Sequence, residues 1–519
     1  MKLLKSTATV GSATILSRIL GFIRDVILAK VFGASGETDA FFLAFKIPNF
    51  MRRLFAEGSF SLAFVPVLSE YKAEGDRVAL RDLIDHVTGT LAAVLLVLTA
   101  IGVIAAPLVL SIFAPGWLAD DRPEFSLSAG MLRITFPYIM LISLTALAGG
   151  ILNTFERFLI PALTPVLLNL SLIAAALLLA DHLEVPVTAL AWGVLAAGFV
   201  QLFLQIPALM RLGLMPRPRW GWRHSGVRRI IKLMIPTLFG SSVAQVNLLV
   251  DSIIATFLVT GSVSWLYYSD RLLEFPLGVF GIALATVILP NLSQKHAKAS
   301  RAEFSATLDW ALRLAIIITV PAAVGLIILA GPILITLFQY DAFQPEDVRM
   351  STYSLVAYSA GLPAFIAVKV LAPGYYARQD TTTPVKIAIA AMVTNMVLNL
   401  LFVGLLLLRG FEGPHAGLAL ASSAAAYLNA ILLYRGLKKR DVLSHEKGWL
   451  RLWIAIFLAS AAMAALLFFM THDIEAWLQA AATLRVRNLA LTIVFGILVY
   501  IFICMLAGIK KHDLLRGSK

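Results

Sequence analysis

"SRILGFIRDVILAKVFG", Ser17 to Gly33, has nearly the length and most of the composition of a membrane-crossing helix, yet it sets Arg18, Arg24, Asp25 and Lys30 among isoleucine, leucine, phenylalanine and valine. The rest of the chain decides which solvent that helix meets. Of the 519 residues 59% are hydrophobic and 14% charged, and the mean hydropathy is +0.86. Soluble domains carry about 25% charged residues. The composition therefore describes an integral membrane protein, and the question becomes why two arginines and an aspartate stand where lipid is expected.

A helix needs about 20 apolar residues to cross a bilayer. That ruler places fourteen spans near 6–31, 38–68, 84–113, 127–152, 160–180, 186–210, 230–258, 264–290, 306–330, 350–376, 385–408, 414–435, 449–470 and 487–508. The opening "MKLLKSTATVGSATIL" has the lysines of a signal peptide. Thr, Ser and Gly interrupt its apolar region and no small-x-small cleavage site follows, so it is expected to stay on the mature chain. The single cysteine, Cys504, excludes a disulfide framework or a thiolate metal site within one chain. The net charge of +13 fits basic cytoplasmic loops better than nucleic acid. Loops with Lys72, Arg77 and Arg81, then Arg211 to Arg229, then Lys295, Lys298 and Arg301, then Arg435 to Arg440, and the tail Lys510 and Lys511, alternate with short or acidic ones such as "PGWLADDRPEF" (115–125) and "QYDAFQPED" (339–347). The positive-inside rule then puts both termini in the cytoplasm.

Sliding the chain by 224 residues against itself lays "VPVLSEYKAEG" (65–75) on "LPNLSQKHAKA" (289–299), pairs Asp85 with Asp309, and lays "LAGGILNTFE" (147–156) on "LAPGYYARQD" (371–380). One shift holding at three separated places predicts two pseudo-symmetric six-helix lobes, 1–215 and 230–440. A basic linker, 216–229, joins them, and 441–519 supplies two further helices and a basic tail. Parallel repeats of this kind build transporters with a substrate site between lobes near the midplane.

The second span carries Asp39, Lys46, Arg52, Arg53 and Glu57, its counterpart "YYSDRLLEFP" (267–276) carries Asp270, Arg271 and Glu274, and Lys369 sits in the tenth. A charge at a helix centre costs roughly 2.5–3.5 kcal/mol on insertion scales. These groups must therefore face water, partners or a ligand. Arg18 and Asp25, seven residues apart, share a helix face, whereas Arg24 points about 120° from Arg18. Some charges could pair among themselves, Arg271 with Glu274 at i,i+3 or Arg24 with Asp39 across helices. The surplus of cations points elsewhere: arginine binds phosphate oxygens bidentately and keeps its charge, so Arg18, Arg24, Arg52 and Arg271 predict a phosphate- or diphosphate-bearing ligand.

"SRILGFIRD" (17–25), "DAFFLAFKIPNFMRRLFAEGSFSLAFVPVLSEY" (39–71), "WLYYSDRLLEFPLGVFGIALATVILPNLS" (265–293) and "VKVLAPGYYARQDTTTPVKIA" (368–388) resemble the MurJ (MviN) lipid II flippase family of the multidrug/oligosaccharidyl-lipid/polysaccharide exporter superfamily. The resemblance implies two lobes, alternating access, a bacterial inner membrane and a lipid-linked peptidoglycan precursor, lipid II, as cargo. It also implies that Arg18, Arg24, Asp39, Arg52, Arg271, Glu274 and Lys369 line a cavity for that cargo, and that the last two helices border its polyprenyl tail.

No G-x-x-x-x-G-K-[ST] loop and no H-E-x-x-H pair occurs, so nucleotide-driven and zinc-enzyme readings find no support, and no cofactor, metal or nucleic-acid partner is expected. A flippase for another polyprenyl-diphosphate-linked glycan, such as O-antigen units, shares the diphosphate. An ion-coupled multidrug antiporter would favour carboxylates over this surplus of arginine. Asp251 in the seventh span, with Asn395 and Asn399 four apart on one face of the eleventh, offers oxygens suited to a hard cation, against the plainer reading of interhelical hydrogen bonds.

Overall fold

The computed structural model describes residues 2–53, 60–297, 300–444 and 447–509; Glu57, Lys298 and the tail lysines fall outside them. Among the described residues all regular structure is helical. In the first part of the chain these are α1 (Lys2–Phe32), α2 (Gly36–Met51), α3 (Ser61–Ala73), α4 (Arg77–Ile104), α5 (Ala106–Phe113), α6 (Pro115–Ala119), α7 (Pro123–Thr135), α8 (Tyr138–Thr154), α9 (Leu159–Leu178), α10 (Thr188–Leu212) and α11 (Ser225–Ala255). There follow α12 (Ser262–Pro276), α13 (Ile282–Ala297), α14 (Arg301–Phe338), α15 (Pro345–Ala360), α16 (Leu362–Tyr376), α17 (Thr382–Leu408), α18 (Ala416–Lys439), α19 (Trp449–Thr471), α20 (Ile474–Gln479) and α21 (Ala482–Leu506).

Helices stand at all fourteen expected places, and ten of those segments are long and apolar enough to cross a membrane by length and composition. The other four are α1, α2 with α3, α11, and α12 with α13. Among the described residues, α1, α2 with α3 and α12 with α13 carry the arginines and carboxylates that the sequence sets inside its apolar runs, whereas the span 230–258 of α11 holds only Lys232 and Asp251. Several spans are pairs of shorter helices. α7 gives way to α8 at Pro137, and α15 to α16 at Gly361, the same place after the 224-residue shift. Proline lacks an amide and disfavours helical backbone in the residue before it, and neighbouring helices re-satisfy the freed groups at membrane depth.

The repeat is visible in the helix starts. α4, α8 and α9 begin at 77, 138 and 159, while α14, α16 and α17 begin at 301, 362 and 382. The chain forms two compact units, residues 1–264 and 265–519. In the first, Phe64, Val67 and Leu68 of α3, Leu83 and Ile84 of α4, Ile151 and Leu152 of α8 and Val227 of α11 form a buried core. α11 packs on α3, α4 and α5, so this unit extends one helix beyond the basic linker. In the second, Leu308 and Phe338 of α14 are buried with Leu355, Leu362, Ile366 and Tyr375. α19 and α21 pack on each other and on α14. Outer faces are as apolar as the core: Leu96, Val97 and Ile101 of α4 and Leu400, Leu401 and Leu408 of α17 are exposed, the pattern of a protein whose solvent is lipid. With no hydrophobic gain between helices in lipid, close contact needs small residues. A Cβ on Gly193 of α10 would lie 2.7 Å from Ala175 of α9, and one on Gly417 of α18 would lie 2.9 Å from the Val403 amide of α17.

Each unit also fixes a segment that leaves its repeat. In the first, Asp85 is buried on α4, where its Oδ1 accepts the Arg217 amide at 2.7 Å and its carbonyl the Arg219 amide at 3.0 Å. The linker lies so close that a Cβ on Gly89 would come within 2.2 Å of the Arg219 carbonyl oxygen. Farther along the linker, His224 stacks on His86, ring centroids 5.0 Å apart, beside Asp82. In the second unit Asp309 takes the Trp449 indole N–H on Oδ1 and Arg313 Nε on Oδ2, both at 2.8 Å. Arg313, which replaces Gly89 at the 224-residue shift, reaches the Lys447 carbonyl at 3.2 Å. The repeats use the same buried aspartate to hold different segments.

Candidate functional site

On α1 the first arginine, Arg18, is exposed, whereas Arg24 is 6% exposed and Asp25 3%. Adjacent helix positions do not normally face each other. Here the Arg24 guanidinium turns back so that Nε and Nη2 reach Asp25 Oδ1 at 2.9 and 2.6 Å, while Nη1 donates to Asn169 Oδ1 of α9 at 3.0 Å. Asn169 in turn donates to the Ser17 carbonyl at 3.0 Å. Gly21 lies against it: a Cβ there would sit in ordinary van der Waals contact with the Asn169 amide, at 3.5 Å. Arg24 thus draws its carboxylate from Asp25.

Asp39, buried on α2, accepts the Gly261 and Ser264 amides at 2.7 Å each and the Ser264 hydroxyl at 2.5 Å. Those amides open α12. The carboxylate therefore fills the role of a helix-capping acceptor at the positive end of the helix dipole. Beside it Glu124 is buried and accepts the Thr260 hydroxyl at 3.0 Å. Farther along α2, Lys46 bonds to the Ser252 hydroxyl on α11, next to the buried Asp251. Arg52 is half-buried, with Nε and Nη2 on Asn49 Oδ1 at 3.1 and 2.8 Å.

In the second unit Arg271 and Glu274 of α12 form the i,i+3 pair that their spacing allows, Nη1 to Oε2 at 2.7 Å, with side chains 33% and 45% exposed. The guanidinium also lies 5.1 Å from the centre of the Tyr267 ring, a cation–π geometry. Lys369 is half-buried on α16, and its Cδ would meet a Cβ on Gly281 at 2.9 Å, so glycine there leaves room for the lysine stem. Asn395 and Asn399 are fully buried on α17, in a stripe with Ala391 and Val403 that repeats every four residues. Asp251 belongs to the first unit and the two asparagines to the second.

The expected residues thus fall into two environments. Arg24, Asp39 and Asp251 are buried, and for Arg24 and Asp39 named polar partners take up the charge. Arg18, Arg52, Arg271, Glu274 and Lys369 keep solvent-accessible surface. Sequence reading missed Asn169 and Glu124. A lone amide in "VLLNLSL" (166–172) is the signal that could have found the first, because a polar group inside a membrane helix needs a partner.

The family model described as lipid II flippase MurJ matches residues 28–507. The chain belongs to the MurJ family of lipid II flippases. A probable lipid II flippase MurJ of Vibrio cholerae is 47% identical to it, over 99% of this chain and 98% of that protein. Among solved structures, a lipid II flippase MurJ in an inward closed conformation is similar with a TM-score of 0.79 at 28% identity, covering 96% of this chain and 98% of the other. An inward-facing multidrug resistance MATE family transporter of the MOP superfamily shares the fold with a TM-score of 0.63 at 14% identity, over 82% and 94%. The family is one of transporters, and the multidrug and other-glycan readings give way to lipid II.

Proposed function

We propose that the chain moves lipid II, an undecaprenyl-diphosphate-linked muropeptide, from the cytoplasmic to the periplasmic leaflet of a bacterial inner membrane by alternating access. Both termini lie in the cytoplasm. The moving halves are 1–215 and 230–440, joined by the linker 216–229 and followed by the two helices of 441–519. Arg18, Arg24, Arg52, Arg271 and Lys369 attract the diphosphate, Glu274 orients Arg271 among them, and Asp39 completes the set of cavity residues while capping α12.

The observation that carries this reading is the exposure of Arg18 and the partial exposure of Arg52, Arg271 and Lys369 within segments whose length and apolar residues suit a membrane. Held in lipid, each would cost a few kcal/mol, so the arrangement persists because the charges reach water or a ligand. The planar fork of arginine matches diphosphate oxygens. The diphosphate leaves an electrically negative cytoplasm, and each elementary charge crossing the full field gains about 2.3 kcal/mol per 100 mV. A monovalent cation at Asp251, Asn395 and Asn399 would assist the return step.

Reconstituted vesicles loaded with fluorescent lipid II test this directly. Flipping should fall at least tenfold in Arg18→Ala, Arg52→Ala and Arg271→Ala, with only partial recovery in the lysine variants. Full activity in two of the alanine variants overturns the anion-site reading. Flipping that ignores the potential and stops when a sodium gradient is removed replaces potential drive with ion coupling.

A further inference from the structure

A separate cavity of about 260 Å³ opens in the second unit, lined by Lys295, His296, Ser300, Arg301, Phe304, Arg378, Arg440, Asp441 and Val442. Four permanent cations from three connections of the chain face one lining carboxylate. Two of the cations are held in place. Lys295 Nζ donates to Thr307 Oγ1 at 2.7 Å, and Arg440 reaches Asp380 Oδ2 at 2.6 Å and Thr383 Oγ1 at 3.1 Å. The other two, Arg301 and Arg378, form no ion pair among the described residues. Arg301 also opens α14, a 38-residue helix whose N-cap, Ser300, makes no side-chain capping bond. Its first amides and dipole therefore add to the cationic side chains. Phe304 and Val442 are buried and give the cavity an apolar wall.

The repeat separates what the fold requires from what this cavity adds. At the 224-residue shift Lys295, Arg301, Arg378 and Arg440 correspond to Tyr71, Arg77, Thr154 and Pro216, so three of the four cations have no counterpart. In the first unit Lys72 occupies that place, donating to the Thr154 carbonyl at 2.6 Å with its ammonium 4.6 Å from the centre of the Phe155 ring. A cluster of cations present in one repeat only is not needed to build the repeat.

We propose that this cavity binds a phosphate group, with Arg301 and Arg378 as the bidentate contacts and Lys295 and Arg440 beside them. The phosphate belongs either to the headgroup of an anionic phospholipid or to a soluble diphosphate, and the two sources separate experimentally. The full-length protein in neutral detergent is titrated with short-chain phosphatidylglycerol in one arm and inorganic pyrophosphate in the other, with binding read by thermal shift. The comparison is wild type against Arg301→Gln/Arg378→Thr, with Arg77→Gln as control. Threonine already stands at the corresponding place of the first unit, and monodisperse elution establishes that the variant is folded.

At least one probe should bind the double variant at least tenfold more weakly than wild type and Arg77→Gln, and its affinity for wild type should fall as salt rises. Loss in the phosphatidylglycerol arm alone assigns a lipid headgroup, and loss in the pyrophosphate arm alone a soluble anion. Equal affinity of wild type and double variant in both arms, or wild-type binding insensitive to salt, overturns the proposal.

Discussion

Replacing Arg24 with methionine leaves the Asp25 carboxylate in a site where it is 3% exposed, without the guanidinium that sits 2.6 Å away. Removing one partner of a buried ion pair costs about 3–5 kcal/mol, because the remaining charge stays desolvated. The bond to Asn169, 3.0 Å long, adds about 1 kcal/mol. Arg24→Met/Asp25→Leu removes both charges and fills the space with apolar atoms, a replacement that is often near neutral. What remains is the acceptor of Asn169, left unsatisfied at about 1–3 kcal/mol. The double variant should therefore be more stable than Arg24→Met alone, with a coupling of at least about 2 kcal/mol. Reversible unfolding of the purified protein in mixed detergent micelles measures Arg24→Met, Asp25→Leu and the double variant against wild type. Flipping in vesicles then separates stability from function: if Arg24 attracts the diphosphate as proposed, the double variant should remain folded and fail to flip. Costs that simply add would show that Arg24 and Asp25 do not depend on each other, and the assignment of Asp25 as the counter-ion would fall.

Gly89→Leu should detach the linker, because its Cβ would sit 2.2 Å from the Arg219 carbonyl oxygen and backbone cannot yield; protease sensitivity of residues 215–222 should rise. Gly130→Ala, with nothing within 4 Å of the added methyl and a helical position, should instead be neutral or gain up to about 1 kcal/mol. Asp309→Asn keeps one acceptor of the two that hold Trp449 and Arg313, so a cost of about 1–3 kcal/mol and a shifted indole emission are expected. The bonds from the Thr383 hydroxyl and amide, and then from Arg440, lower the pKa of Asp380. A carboxylate whose folded pKa is depressed contributes stability above its ordinary value of about 3.9 and loses it as pH falls through the lower folded value. Wild type minus Asp380→Asn should then be flat from neutral pH to about 5 and shrink below 4, by acid titration of unfolding midpoints.

Much of the architecture could be read from the chain because it depends on local sums. Apolar runs of crossing length gave the helices, and the 224-residue shift gave corresponding starts such as 77 and 301. The i,i+3 spacing of Arg271 and Glu274 was likewise sufficient, since helix geometry alone brings those groups together. Asp39 could not be solved that way. Its donors lie at Gly261 and Ser264, more than 200 residues away, and nothing in the composition of either segment marks one for the other. Arg24 failed for the opposite reason. Its partner is its immediate neighbour, a spacing that helix geometry disfavours, and it becomes available only because Asn169 of α9 pins the guanidinium from the other side.

The repeat itself gives a physical criterion for sorting these charges. A group that any copy of the six-helix unit needs should recur at the 224-residue shift, as Asp85 and Asp309 do, both buried and both holding an exiting segment. Arg18, Arg24, Asp39, Arg52, Arg271, Glu274 and Lys369 fall instead opposite Ser242, Leu248, Val263, Pro276, Ile47, Phe50 and Thr145, so none meets a charge. The two units share a scaffold, with Asp85 and Asp309 in it, but not these seven ionisable groups. Since every such group near the bilayer centre carries a cost of a few kcal/mol, a unit that folds without them retains them only where an interaction outside the scaffold compensates. Arg24 and Asp39 meet part of that cost through Asp25, Asn169, Gly261 and Ser264. For Arg18, whose side chain is exposed, compensation must come from water or from the cargo, which makes it the most sensitive position at which to test anion recognition.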